Sequence, residues 1–116
     1  MKVLLADDDA HVRSALRLLL EDEPGMAIVG ESVSADGLLD QVAAAEPAVV
    51  LLDWELPGLH ADGLLDGLRA LQPAPYLVAL SGRPEAHEEA LRAGIPNFVC
   101  KGDAPDALLS ALKHLR

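Results

Sequence analysis

The chain has 116 residues, 51% of them apolar, and sets 9 Lys and Arg against 19 Asp and Glu for a formal net charge of −10. That length suits one compact domain spanning residues 1–116, and the acidic balance repels nucleic-acid phosphates with no basic patch to offset it, so no direct nucleic-acid binding is expected. A single cysteine, Cys100, rules out an internal disulfide and reads as a small buried residue; without a signal-peptide pattern or an apolar run of about 18 residues, a soluble cytoplasmic protein with no membrane contact is expected.

In chain order, short apolar runs alternate with stretches of helical period. Residues 3–6, VLLA, read as a first strand. Asp9 is placed to cap the helix that follows, in which Val12, Ala15, Leu16 and Leu19 take the i, i+3, i+4, i+7 spacing of one apolar face. A second strand over 26–31, MAIVGE, leads to a helix over 35–45 that turns Leu38, Leu39, Val42 and Ala43 inward and stops before Pro47. The third strand, AVVLLD at 48–53, precedes a helix over 62–71 built on Leu64, Leu68 and Leu71 and ended by Pro73. The fourth, YLVALS at 76–81, precedes a helix over 84–93 that opens with Pro84, carries Glu85, Glu88 and Glu89 near its positive end and closes at Gly94. NFVC at 97–100 is the fifth strand, and Leu108, Ala111, Leu112 and Leu115 give the last helix its inward face.

Four of the strands are near-continuous apolar runs, the pattern of strands covered on both faces. Alternation with helices through short turns predicts an α/β fold: a doubly wound, five-stranded parallel sheet of order 2-1-3-4-5, a flavodoxin-like (βα)5 unit with helices on both faces. In such sheets the ligand crevice lies outside the carboxyl ends of the strands. Asp7 and Asp8 follow the first strand, Asp53 ends the third, Ser81 ends the fourth and Lys101 follows the fifth.

Three carboxylates converging on one edge repel one another unless a cation sits among them. Mg²⁺, with Mn²⁺ as an alternative, suits a site that supplies a few carboxylates and leaves positions for water and a phosphoryl oxygen. An ammonium such as Lys101 and a hydroxyl such as Ser81 complete a site for accepting a phosphoryl group, with Asp53 as nucleophile. An acidic triplet alone is more simply a solvated turn or a helix cap, and Asp9 reads as just that. The second acidic strand end, with Ser81 and Lys101, moves the reading of Asp7 and Asp8 toward a metal site.

The motifs VLLADDDAHVR, VVLLDWELPG, LVALSG and AGIPNFVCKG, in that order, resemble the receiver domain of bacterial two-component response regulators over nearly the whole chain. The ending KGDAPDALLSALKHLR is similar to receivers that precede a LuxR-type helix-turn-helix, an output domain absent from these residues. The resemblance implies that Asp7, Asp8, Asp53 and the backbone carbonyl of Glu55 hold Mg²⁺, that Asp53 is the phosphoacceptor, and that Ser81 and Phe98 are the switch residues beside Lys101. It further implies a sensor histidine kinase or phosphotransfer protein as partner, with homodimerisation through the surface of the fourth helix, fifth strand and fifth helix. The chain would accept a phosphoryl group, and catalyse its own transfer and hydrolysis, rather than turn over a separate substrate.

Three positions depart from the family pattern. The loop PGLHADG at 57–63 places five residues between proline and glycine, two more than usual, which bears on the start of the third helix. Gly102 stands where a proline commonly follows the lysine, so the Lys101–Gly102 peptide is expected to be trans or else strained. Phe98 replaces a common tyrosine and offers no hydroxyl. The longer loop and Gly102 support an alternative, a receiver-like interaction module that works without phosphate; a second rival is an aspartyl-phosphate hydrolase of the haloacid dehalogenase type, which places aspartate where Glu55 stands. His11, His60, His87 and His114 lack ligand spacing and read as surface residues, and Trp54 as a partly exposed flank of the site. Glu55 and Arg83 flank the pocket at positions that in the family tune access of water.

Overall fold

The computed structural model describes residues 1–61, 63–103 and 105–116. Elements alternate strictly: β1 (Lys2–Ala6), α1 (Ala10–Glu21), β2 (Ala27–Ser32), α2 (Leu38–Ala45), β3 (Val49–Asp53), α3 (Leu64–Ala70), β4 (Tyr76–Ser81), α4 (Ala86–Arg92), β5 (Asn97–Cys100) and α5 (Pro105–Lys113). All strands are parallel in the order β2-β1-β3-β4-β5, the fold expected from the alternation.

Successive strand residues face opposite sides of the sheet, so each strand feeds two cores. Leu4, Ala6, Val50, Leu52, Leu77 and Ala79 pack with Leu38 and Val42 of α2, Leu68 of α3, and Ala86 and Ala90 of α4. Val3, Leu5, Val49, Leu51, Val78, Leu80 and Val99 pack with Leu20 of α1 and with Leu108 and Leu112 of α5. Each fully buried leucine contributes about 1.5–3 kcal/mol relative to exposure, which is why these runs hold the sheet between two helical layers. Only β2, at an edge, alternates between exposed and half-buried positions.

Several local expectations shift. The predicted first residue of the third helix, Asp62, lies outside the described residues; the helix is observed from Leu64. The second and fourth helices start later than periodicity suggests, at Leu38 and Ala86, because hydrogen-bonded turns precede them, Leu38 N to Ala35 O at 3.1 Å and Ala86 N to Arg83 O at 3.0 Å. Ala15 and Ala43, expected inward, are exposed, since each lies on the flank of a helix whose inward ridge is carried by leucine or valine. Cys100 is half-buried rather than buried because it ends a strand at the sheet edge. Among the described residues the cis peptide is Gln72–Pro73, so Lys101–Gly102 is trans, as its lack of proline predicts.

The order places the reversal in the direction of strand addition between β1 and β3. Their register pairs Ala6 with Leu52, so one step further sets Asp7 across from Asp53. On the other side Asp53 pairs with Leu80, and Ser81 with Cys100, which brings Ser81 and Lys101 to the same edge.

Candidate functional site

Asp7 and Asp53 are 1% and 2% exposed, while Asp8 is open to solvent. The three offer carboxylate oxygens that lie within 4.8 Å of one another. Backbone amides hold the two buried groups: Asp9 N–H donates to Asp7 Oδ1 at 2.9 Å, and Glu55 N–H donates to Asp53 Oδ1 at 3.0 Å. Asp9 itself caps α1, accepting from the amides of His11 and Val12, which hold its carboxyl below the usual aspartate range. Arg13 of α1 donates to the Asp7 carbonyl at 2.6 Å and pairs with Glu31 of β2, tying the acidic turn to the sheet edge.

Lys101 reaches into this group from the loop after β5. Its Nζ lies 2.8 Å from Asp7 Oδ2 and 3.2 Å from Asp53 Oδ1, and its amide donates to the Ser81 carbonyl at 2.8 Å, which fixes the loop that carries it. Burial pushes the Asp53 carboxyl above the ordinary aspartate range, and the charge of Asp7 adds to that, against the lowering pull of the Glu55 amide and Lys101. For Lys101, burial pulls the ammonium down, but its contacts with Asp7 and Asp53 outweigh it and the group is held above the ordinary lysine range.

Three carboxylates against one ammonium leave two negative charges, the deficit a divalent cation neutralises. A second observation points the same way. Asp7 Oδ2 is buried without a hydrogen-bond partner, because the nearby ammonium approaches at ion-pair distance but outside hydrogen-bonding alignment. An all-oxygen donor set with one unsatisfied buried oxygen fits Mg²⁺ or a similar hard cation.

Ser81 is fully buried at the end of β4. Its Oγ donates to Glu55 Oε1 at 2.7 Å and accepts from the Arg83 amide at 3.0 Å. The Glu55 side chain thus accepts from the hydroxyl, a partnership that the sequence, which placed Glu55 and Arg83 only as flanks of the pocket, did not foretell. Arg83 pairs with Glu55 at 3.2 Å and with Glu89 at 2.8 Å.

Trp54 departs most from expectation. It is 3% exposed rather than a partly open flank, because its indole N–H donates to Glu89 Oε1 at 3.0 Å and its ring meets His60 edge-on, with centroids 4.6 Å apart. His60, in the longer loop, also approaches the Trp54 carbonyl at 2.6 Å. Phe98 is half-buried one strand away and stacks on exposed His87, with centroids 4.8 Å apart and planes 7° from parallel. Glu89 was missed as a site residue. Its only signal was an acidic residue near a helix start, which a favourable helix dipole explains equally well.

The family description "Response regulator receiver domain" matches residues 3–113. Response regulator UvrY of Escherichia coli O157:H7 is 30% identical over 117 residues, covering 99% of this chain and 54% of that protein. A protein-glutamate methylesterase/protein-glutamine glutaminase of Cereibacter sphaeroides is 37% identical over 92 residues, which cover 79% of this chain and 25% of that protein. The chain therefore spans about half the length of UvrY, and less of the methylesterase. The isolated REC domain of RcsB from Salmonella enterica serovar Typhimurium superimposes with a TM-score of 0.83 at 26% identity, covering 97% of this chain and 86% of that one. A LuxR-family regulator from Aurantimonas sp. SI85-9A1 gives a TM-score of 0.85 at 26% identity, over 97% of this chain and 82% of that one. With a profile match over nearly its whole length and an acidic crevice at the fold's reversal point, the chain belongs to the response regulator receiver domains, the phosphoacceptor signalling modules of two-component systems, and is similar to those of LuxR-family regulators.

Proposed function

We propose that residues 1–116 form one receiver unit in which Asp53 is the phosphoacceptor. The observation that carries the reading is Lys101 bridging Asp7 and Asp53 beside the acidic cluster. Asp53 Oδ1 is engaged by the Glu55 amide and by Lys101, which leaves Oδ2 as the attacking atom. Oδ2 forms a bond to the phosphorus of a phosphohistidine or of a small acyl phosphate. The bond from phosphorus to the donor's nitrogen or oxygen breaks, its electron pair leaves with the donor, and an aspartyl phosphate remains.

Asp7, Asp8 and Asp53, with the Glu55 carbonyl, would hold Mg²⁺ or Mn²⁺, which when bound supplies positive charge to the transferring phosphoryl oxygens. Lys101, in contact with both Asp7 and Asp53, supplies further positive charge, and the Ser81 hydroxyl is the donor available to the new phosphoryl group. Phe98 on β5 then changes its packing, and the surface of α4, β5 and α5 changes its affinity for partners.

The partners are a sensor histidine kinase or phosphotransfer protein and, through that surface, a second copy of the chain. In a longer protein the output is a C-terminal DNA-binding domain, a reading supported by similarity to RcsB of Salmonella enterica serovar Typhimurium, whose structure is bound to promoter rprA. The setting is the cytoplasm; among the described residues no helix is long and apolar enough to cross a membrane. The chain accepts a phosphoryl group rather than turning over a separate substrate: Glu55 occupies the position where a haloacid-dehalogenase-type hydrolase needs its acid/base aspartate, and its carboxylate is committed to Ser81 and Arg83.

Intact mass after incubation with acetyl phosphate is the test. One added phosphoryl group that requires both Mg²⁺ and Asp53, and is lost in Asp53→Asn, is the expected result. Turnover of p-nitrophenyl phosphate without a stable adduct would overturn it in favour of a hydrolase. No adduct and no beryllofluoride binding would favour the phosphate-independent module.

A further inference from the structure

The hydroxyl of Ser81 has one proton, and that proton is directed at Glu55 Oε1, 2.7 Å away. The other Glu55 oxygen faces Arg83 Nη2 at 3.2 Å. Arg83 closes on Glu89 of α4 with both terminal nitrogens, at 2.8 and 3.2 Å, and Glu89 Oε1 also accepts the Trp54 indole N–H at 3.0 Å. The Arg83 amide donates to Ser81 Oγ at 3.0 Å, so the hydroxyl is held on both its donor and its acceptor side. These contacts form one run of charge-assisted hydrogen bonds from the end of β4 to α4, and it finishes on the residue next to Asp53. A serine hydroxyl donates one hydrogen bond at a time, so donation to Glu55 and donation to a group on Asp53 exclude each other.

We propose that Glu89 is a positioning residue for phosphoryl acceptance. By fixing Arg83, and through it Glu55, Glu89 keeps the Ser81 hydroxyl committed away from Asp53, and recruitment of that hydroxyl by a phosphoryl group loosens α4. The inference rests on Asp53 being the acceptor. The coupling is reciprocal: whatever weakens the run makes the acceptor site bind a phosphoryl mimic more tightly, by the same factor that the mimic weakens the run. Trp54 reports the release, because its partner is the same carboxylate that grips Arg83.

The experiment titrates beryllofluoride with Mg²⁺ into the wild type, Glu89→Ala, Glu89→Gln and Arg83→Lys, reading affinity by ¹⁹F NMR and Trp54 emission in parallel. The wild type is expected to bind with a change in Trp54 emission. Because the ion pairs are exposed, Glu89→Ala should bind about two- to fivefold more tightly, with the emission change lost. Glu89→Gln keeps an acceptor for the indole but loses the charge facing Arg83, so it should bind more tightly while retaining an emission change. Arg83→Lys, a single-point cation in place of a fork, should fall between wild type and Glu89→Ala. A merely structural role for Glu89 would weaken binding rather than strengthen it. Binding by Glu89→Ala that is equal to or weaker than that of a responsive wild type would overturn the proposal and leave the acceptor reading standing. A wild type that binds no beryllofluoride would overturn both.

Discussion

At the scale of single residues, the site is organised around two buried carboxylates that share one ammonium. Asp53 is held above its ordinary range by burial and by the charge of Asp7, so its ionised form is less comfortable in the folded protein than in the unfolded chain. Removing that charge while keeping the shape should therefore stabilise the fold. In metal-free buffer at pH 7, Asp53→Asn is expected to be more stable than the wild type, with a higher Tm in a scanning calorimeter. An unchanged or lower Tm would mean that the ion pair with Lys101 outweighs burial. Added Mg²⁺ should reverse the order: at a hundredfold excess over Kd the wild type gains about 2.7 kcal/mol, and Asp8→Asn, with one carboxylate fewer, gains less. That Asp7, Asp8, Asp53, Ser81 and Lys101 gather at one edge was legible in the sequence because each sits within two residues of a strand's carboxyl end, and strand order alone then brings them together. The partnership of Ser81 with Glu55 was not, since it depends on which rotamers the side chains take.

At the scale of elements, α4 is a seven-residue helix tied to the acceptor edge through Glu89, Trp54 and Arg83. Arg83 holds the Glu89 carboxyl below its ordinary range, and the Trp54 indole adds to that. A carboxylate with a lowered folded value contributes stability that is present above its unfolded value of about 4.3 and lost as pH falls through the folded one. Trp54 emission is thus expected to change below about pH 4.3, through a transition absent in Glu89→Ala. An identical acid titration in the variant would assign the change elsewhere.

The same helix ends at Gly94, whose φ of +86° lies in the left-handed region that other residues enter at a cost of roughly 1 kcal/mol or more. A Cβ there would also clash with the Arg69 guanidinium, whose Nη1 donates to the Ala93 carbonyl. Gly94→Ala should lower the urea midpoint by at least that cost divided by m, with no change in m itself. The end of α4 could be read from the glycine, whereas its start could not: Pro84 and Glu85 look helical by composition but form a turn whose geometry is set by the Arg83 and Ser81 contacts.

Across the whole molecule, the sheet separates two apolar layers that share a backbone but few side-chain contacts. Leu51 faces α1 and α5 while Leu52 faces the opposite layer, both at most 1% exposed. Leu51→Val and Leu52→Val each delete one buried methylene, expected to cost about 1 kcal/mol. Because the deletions lie in different layers, the double variant should lose the sum to within about 0.5 kcal/mol by chemical denaturation. A larger departure would mean that the layers repack together.

Fold class, strand order and the edge that carries the chemistry were determined by the sequence itself, because period-2 and period-3.6 patterns, short turns and right-handed crossovers leave few ways to bury these runs. Strand residues 49–53 are apolar until Asp53, and a charge at the end of a buried strand has nowhere to go but the open edge. Tertiary structure alone decided that Trp54 is buried, that Glu89 reaches from α4 to hold Arg83, and that Phe98 stacks on His87. Those contacts join residues distant in the chain through side-chain ends, and neither periodicity nor local propensity encodes where a long side chain terminates.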